Sequence, residues 1–122
     1  MWVFLNDAMV SAVAHRTKPG YLMVRARIAG DLERLFPRAK VERTPDADYA
    51  FRCTVTRTVF ANVVAARAAA IDYPNFKGSL ATAKGDQRPS TFMARSQAYH
   101  RTWDAMMDAQ QELEPDTGRG AW

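Results

Sequence analysis

The sequence predicts an α+β domain in which helices cover one face of a mainly antiparallel sheet. Short segments that alternate apolar and polar residues occupy the first half of the chain, and segments with helical spacing occupy the second half. Mostly short turns join the alternating segments, and such turns connect antiparallel neighbours. We therefore expect a two-layer sandwich, ferredoxin-like or a related arrangement, with helices on one face and a long C-terminal helix.

The segment 21–28 is the clearest predicted strand. Its even-numbered residues are apolar and would face the core, because successive side chains of a strand point to opposite faces of the sheet. The opposite face would carry Tyr21, Arg25 and Arg27. One side of this strand is therefore expected to be a basic surface.

The other elements of the first half follow from turn residues and alternation. We expect strands at 2–5, 9–14, 41–44 and 49–55, and a short helix at 31–36 that Pro37 ends. In the segment 49–55, Tyr49, Cys53 and Val55 would share the core face with the residue at 51, whereas Arg52 would point outwards. A lone cysteine on such a face is expected to be a small buried hydrophobe.

Helical spacing dominates from residue 56 onwards. Either Thr56 or Thr58 can cap a helix that ends before Tyr73-Pro74, one further turn is expected at 75–80, and a polar loop at 81–88 follows. Pro89 opens a long helix to about Leu113, with a seam that packs against the domain or a partner helix. The seam residues are Phe92, Ser96, Tyr99, Trp103, Met106, Gln110 and Leu113. Residues 1–113 would form one domain and 114–122 a flexible tail.

Composition narrows the class of protein. The chain has 122 residues and a net charge of +4, and 13 of its 17 cationic residues are arginine, which suits carboxylate and phosphate contacts better than lysine does. A single cysteine allows no internal disulfide, and no apolar run approaches the ~20 residues of a membrane span. We expect a soluble, cytoplasmic protein that does not enter a membrane.

Catalytic patterns are weak. One cysteine and two histidines are too few for a zinc site, and Cys53 with His100 could form a nucleophile and base only if the cysteine were not structural. The acids at 7, 46, 48 and 72 could converge on Mg²⁺, as in a nuclease, although turns also favour acids at such positions. We expect no enzyme, no cofactor and no metal, with a magnesium-dependent nuclease as a remote alternative.

The basic surface is the stronger indication. If the predicted strands pair, Arg25, Arg27 and Arg52 would cluster with Tyr21 on an open sheet face. Arginine for phosphates and an aromatic ring for base stacking are the chemistry of single-strand nucleic-acid binding. The structural alternative is a solvated face over which arginine stems lie.

Several strings point to a family resemblance. They are MWVF at 1–4, VRAR at 24–27, GDLE at 30–33, ADY at 47–49, IDY at 71–73 and NFK at 75–77, together with Ser11, Val13, Arg52, Tyr99, His100, Trp103 and Met106. With them, the chain up to about Gln110 resembles a family of small bacterial proteins that also occurs in phages and mobile elements. No activity is known for that family, so the resemblance implies no catalytic residue. It makes Tyr73, Phe76 and Lys77 a candidate surface site, unless Tyr73 and Phe76 anchor the helix junction in the core.

These observations lead to a functional expectation. We expect a small non-enzymatic binding protein of phage or mobile-element type that inhibits or modulates a host protein or nucleoprotein machine, in the manner of an anti-CRISPR protein. The alternative is a nucleic-acid-binding module that uses its arginine-rich sheet face. A homodimer is left open.

Overall fold

The computed structural model describes residues 1–83 and 87–114. The strands there are β1 (Trp2–Phe4), β2 (Met9–Ala14), β3 (Tyr21–Ala26), β4 (Glu42–Arg43) and β5 (Phe51–Thr56). The helices are α1 (Asp31–Leu35), α2 (Arg57–Ala69), α3 (Phe76–Ala83) and α4 (Pro89–Leu113). The α+β class is therefore confirmed. Apart from its first residue, Glu114, the tail predicted at 114–122 lies outside the described residues.

All five strands join one sheet in the order β1-β2-β3-β5-β4, and each neighbouring pair is antiparallel. Three strands form a meander before the first helix begins. A ferredoxin-like fold places a helix after its first strand. The fold is therefore not ferredoxin-like and belongs to the second of the two predicted possibilities, a related arrangement.

Alternation along the central strands decides which face of the sheet forms the core. Val24 pairs with Ala12 on one side and with Cys53 on the other, and all three are buried. Leu32 of α1 and Phe60 of α2 pack against this face. Both helices therefore cover the same side of the sheet, as predicted.

The boundaries of several elements differ from the prediction. β3 ends at Ala26 because the chain turns before α1, where Gly30 has a φ of 94°, in the left-handed region that favours glycine. α3 runs to Ala83, so part of the segment predicted as a polar loop is helical. In α2 the cap is Thr56, whose Oγ1 accepts from the Val59 amide at 3.2 Å. In the first turn of α2, Phe60 is buried, whereas Val59 is 44% exposed.

α4 lies against the turn between β1 and β2. The Tyr99 hydroxyl is 2.8 Å from the carbonyl oxygen of Leu5 and 3.0 Å from that of Ala8. The Tyr99 ring stacks on Phe4 at 5.2 Å and on Phe76 of α3 at 5.6 Å between ring centres. One buried tyrosine thus joins β1, α3 and α4.

The predicted seam of α4 packs against the domain only in its first half. Tyr99 is 4% exposed, whereas Trp103 is 47% and Met106 62% exposed. A 25-residue helix is about 37 Å long, and six-residue strands span only about 20 Å, so the helix extends past the sheet. Packing of Trp103 in the domain core, which the spacing allowed, is therefore wrong.

None of the helices in the described ranges is long and apolar enough to cross a membrane.

Cys53 occupies the core face and is 3% exposed, as predicted. Burial, with a smaller effect from the negative charge of Glu33, raises the pKa of its thiol from an ordinary value of 9.0 to about 11. A difference of about two pKa units lowers the thiolate fraction at pH 8 about 100-fold.

We expect Cys53 in the native protein to react with a thiol reagent at least about 100-fold more slowly than in the urea-unfolded protein. Because the pKa of Cys53 is raised in the folded state, the contribution of this thiol to the free energy of unfolding should be fully present below pH 9.0 and be lost as the pH rises towards about 11. The rate of the reaction is measured from the absorbance of the dye that the thiol reagent releases when it reacts with Cys53. Equal rates in both states would contradict the assignment of Cys53 to the core.

Candidate functional site

The face of the sheet opposite the core carries a row of residues from all five strands. The pairing registers place Trp2 beside Ser11, Ser11 beside Arg25, Arg25 beside Arg52, and Arg52 beside Glu42. Arg25 and Arg52 are directly opposite each other on adjacent strands, an arrangement that is unfavourable for like charges. We call Arg25, Arg27 and Arg52 with the surface around them the basic face.

Tyr49 supports two of these arginines. The Cζ atoms of Arg27 and Arg25 lie 4.0 and 4.5 Å from the centre of its ring, which is cation–π geometry. The prediction that Tyr49 shares the core face of Cys53 is wrong. β5 begins at Phe51, and the residues just before it form a bend, so the alternation of the strand does not reach Tyr49.

The hydrogen bonds of the basic face do not satisfy every donor of its arginines. Arg25 donates from Nη2 to the Ser11 hydroxyl at 2.9 Å, and Arg52 donates from Nη2 to the Tyr49 carbonyl at 3.3 Å. The Nε atoms of both arginines are shielded from solvent and have no acceptor in the described part of the chain. Because these Nε atoms are shielded, they reduce stability and do not offer donors to a ligand, and a partner would have to bind the outer nitrogen atoms of the guanidinium groups.

The three arginines of the basic face form no direct ion pair within the described part of the chain. Among residues 1–83 and 87–114, no carboxylate lies within ion-pairing distance of Arg25, Arg27 or Arg52. The more deeply placed arginines elsewhere are paired: Arg95 binds Asp31, and Arg67 binds Asp7. Within the described residues, the basic face therefore carries three arginines without a direct ion pair, and Glu42, which is opposite Arg52 in the pairing register, is the acid beside them.

A cleft of about 250 Å³ opens where the basic face meets α4. One wall is apolar, and the other carries a guanidinium group over an aromatic ring. The residues that line it include Trp2, Phe4, Arg27, Tyr49, Ala98 and Thr102. Trp2 is 66% exposed at the mouth of the cleft, and its ring stacks on Phe4 at 6.4 Å. Sequence reasoning missed Trp2, because a residue at the start of an edge strand shows no distinctive pattern.

Tyr21, which was expected beside the arginines, contacts Lys18 instead. The Lys18 Nζ lies 4.1 Å from the centre of the Tyr21 ring. Tyr21 opens β3 and Arg25 lies four residues further along it, so the two side chains are about 13 Å apart along the strand. Tyr49 takes the place that the sequence predicted for Tyr21.

The candidate site at 73–77 lies apart from the basic face. Tyr73 and Phe76 are in tilted contact at 6.1 Å and half-buried, and Phe76 continues into the aromatic stack with Tyr99. Tyr73 and Phe76 therefore pack at the helix junction, which was the alternative to a surface site in the sequence analysis. The Lys77 Nζ lies 4.3 Å from the centre of the Trp103 ring and 3.3 Å from His100 Nδ1.

The fold does not bring the acids together as a magnesium site. Asp7 is held by Arg67, and no group of three or more potential protein ligands for a metal occurs within the described ranges. Cys53 is buried in the core, while His100 is exposed on α4 with Asp104 3.5 Å from its Nε2. The hypothetical pair of Cys53 and His100 is therefore wrong.

Comparison with protein-family models, curated proteins and solved structures found no match. The resemblance to small bacterial and phage proteins stays a prediction. The basic face and the cleft beside it define the candidate site by geometry alone.

Proposed function

We propose that this is a non-enzymatic binding protein whose basic face holds the phosphate backbone of single-stranded nucleic acid. The observation that carries the proposal is the group of three arginines on and beside one sheet face, which have no direct ion pair within the described residues and two of which lie over the ring of Tyr49. Guanidinium groups form strong, often bidentate hydrogen bonds with phosphate oxygens.

Nucleic acid fits the basic face better than an acidic protein does, because positive charge and an exposed aromatic residue occur on the same face of the sheet. Trp2 lies in the same cross-sheet row as Arg25 and Arg52 and is 66% exposed. Proteins that bind single strands combine a positive surface for the backbone with aromatic rings on which bases stack. Tryptophan and arginine also occur together at protein–protein interfaces, so an acidic protein surface is the second candidate partner, and the salt dependence of binding to single strands separates the two.

The expected role as a modulator of a host nucleoprotein machine fits the same chemistry. A protein of 122 residues that covers a few nucleotides can compete for a strand on which a larger complex acts. Such competition requires binding and no reaction. The proposed inhibitor therefore acts by occupying nucleic acid, and the host complex is affected through its substrate.

We expect the double variant Arg25→Glu/Arg27→Glu to bind a labelled oligothymidylate more than about 100-fold more weakly than the wild type at low salt. Two phosphate contacts are lost and two repulsive charges are introduced. For the wild type, the logarithm of the binding constant should fall with the logarithm of salt concentration with a slope of about −2, which corresponds to three phosphates. Fluorescence anisotropy measures both quantities.

The control is Arg38→Glu/Arg57→Glu, which changes the net charge equally at two exposed arginines outside the basic face. It should retain most of the affinity. Because Arg25 is half-buried and donates a hydrogen bond to Ser11, whereas Arg27 is exposed, the single variant Arg27→Glu provides a second test if the double variant unfolds. Equal loss in the control, or no binding of single strands by the wild type at about 50 mM salt, would overturn the proposal.

A further inference from the structure

We infer that the cleft between Trp2 and Arg27 is a subsite for one nucleobase, stacked on the Trp2 indole while the adjoining phosphate lies on Arg27. This inference rests on the proposed function and deepens it. The basic face alone requires only a chain of phosphates. The cleft adds a requirement for a base.

The indole of Trp2 is supported from within the domain. It stacks on Phe4 with an interplanar angle of 22°, and Phe4 stacks on Tyr99 with an angle of 16°. Tyr99 is in turn held by the carbonyl groups of Leu5 and Ala8. A ring supported in this way loses little conformational entropy when a base stacks on it. Trp2 is nevertheless 66% exposed, so a partner can reach it.

The size of the cleft favours one planar group. Its volume is about 250 Å³, which is below the ~300–1,000 Å³ typical of pockets for drug-sized ligands. Phe4 and Ala98 contribute apolar wall, and Arg27 supplies a cation at the edge. A heteroaromatic ring attached to a phosphate satisfies both features, whereas a free anion or an aliphatic chain satisfies only one.

The cleft has few groups that could distinguish one base from another. The Thr102 hydroxyl already donates to the Ala98 carbonyl at 2.9 Å. Arg27 lies over the Tyr49 ring at 4.0 Å, where it can meet a phosphate. Stacking on an aromatic ring is tolerant of sequence because every base has a π face. The subsite should therefore require a base without selecting its identity.

The test compares two labelled probes of equal length: an oligothymidylate, and an oligomer with the same phosphate backbone in which every nucleotide is abasic. Trp2→Ala should weaken binding of the oligothymidylate about tenfold and leave binding of the abasic oligomer unchanged. Trp2→Phe should recover part of the loss, because a smaller aromatic ring still stacks. An oligoadenylate should bind within a few-fold of the oligothymidylate.

Trp103→Ala is the matched control, because it removes another exposed tryptophan that lies beside Lys77 and outside the cleft. It should change neither affinity. Equal loss of both probes in Trp2→Ala, or no loss of either, would overturn the base subsite and leave the proposed function standing. Failure of the wild type to bind both probes would instead overturn the proposed function.

Discussion

Replacement of Arg95 with alanine is expected to lower the free energy of unfolding by about 3–5 kcal/mol. The guanidinium group is 0% exposed and forms two bonds with Asp31, at 3.0 Å from Nη1 and 2.5 Å from Nη2. Burial acts to lower the pKa of Arg95, but the hydrogen bonds and the charge of Asp31 outweigh it and raise the pKa. Without Arg95, a buried carboxylate keeps only weaker partners.

Those remaining partners cannot neutralise Asp31 to the same extent. Its Oδ2 accepts from the Met9 amide at 3.0 Å, and its Oδ1 lies 3.3 Å from Nη1 of Arg34, which is partly exposed to water. The cost of leaving a charge buried without its main partner exceeds the worth of an exposed ion pair, which is about 0–1 kcal/mol. Urea denaturation followed by circular dichroism measures the change.

The control for Arg95 is Arg101→Ala, an exposed arginine on the same helix, which should change stability by only about 0.5 kcal/mol. The double variant Asp31→Leu/Arg95→Met should be closer to the wild type than Arg95→Ala is, because it leaves no buried charge. If Arg95→Ala unfolded at the same urea concentration as Arg101→Ala, the buried pair would not contribute as the geometry indicates.

Replacement of Tyr99 with alanine, in an otherwise unchanged protein, is expected to lower the free energy of unfolding by about 3–5 kcal/mol. The ring is 4% exposed and stacks on Phe4 and Phe76, so its removal leaves a cavity where α3, α4 and β1 meet. Tyr99→Phe keeps the ring and should cost about 1–3 kcal/mol, because the carbonyls of Leu5 and Ala8 then lose a buried donor. Thermal unfolding separates the two variants.

Trp103→Ala provides the comparison for Tyr99→Ala. Trp103 lies four residues further along the same helix, but it is 47% exposed, so we expect a cost below about 1 kcal/mol. A loss as large as that of Tyr99→Ala would mean that the second half of α4 is covered in solution. Equal stability of Tyr99→Ala and wild type would contradict the packing of α4 against the β1–β2 turn.

The same two side chains link stability to the candidate site. Arg95 holds α4 to the start of α1, and Tyr99 holds it to the carbonyl groups of the β1–β2 turn. Ala98 and Thr102 of α4 form part of the cleft beside Trp2. A variant that loosens α4 should therefore weaken stacking of a base before it weakens the contacts of the basic face with phosphate.

Local patterns in the sequence determined the positions of most helices and strands, and the sheet face on which Arg25 and Arg52 lie. Both ends of α4 were predicted, because Pro89 suits the first turn of a helix and the periodic residues end at Leu113. The outward direction of Arg25 and Arg52 followed from alternation within their strands. Each of these predictions depends on neighbours a few residues apart, which the sequence displays directly.

Only the tertiary structure decided which distant residues meet. Arg95 and Asp31 are 64 positions apart, and neither residue was singled out from the sequence. Tyr49 reached Arg25 and Arg27 through a bend before β5, and Trp2 became part of a cleft because α4 crosses the β1–β2 turn. Contacts of this kind depend on how whole elements pack, and no periodicity along the chain specifies that packing.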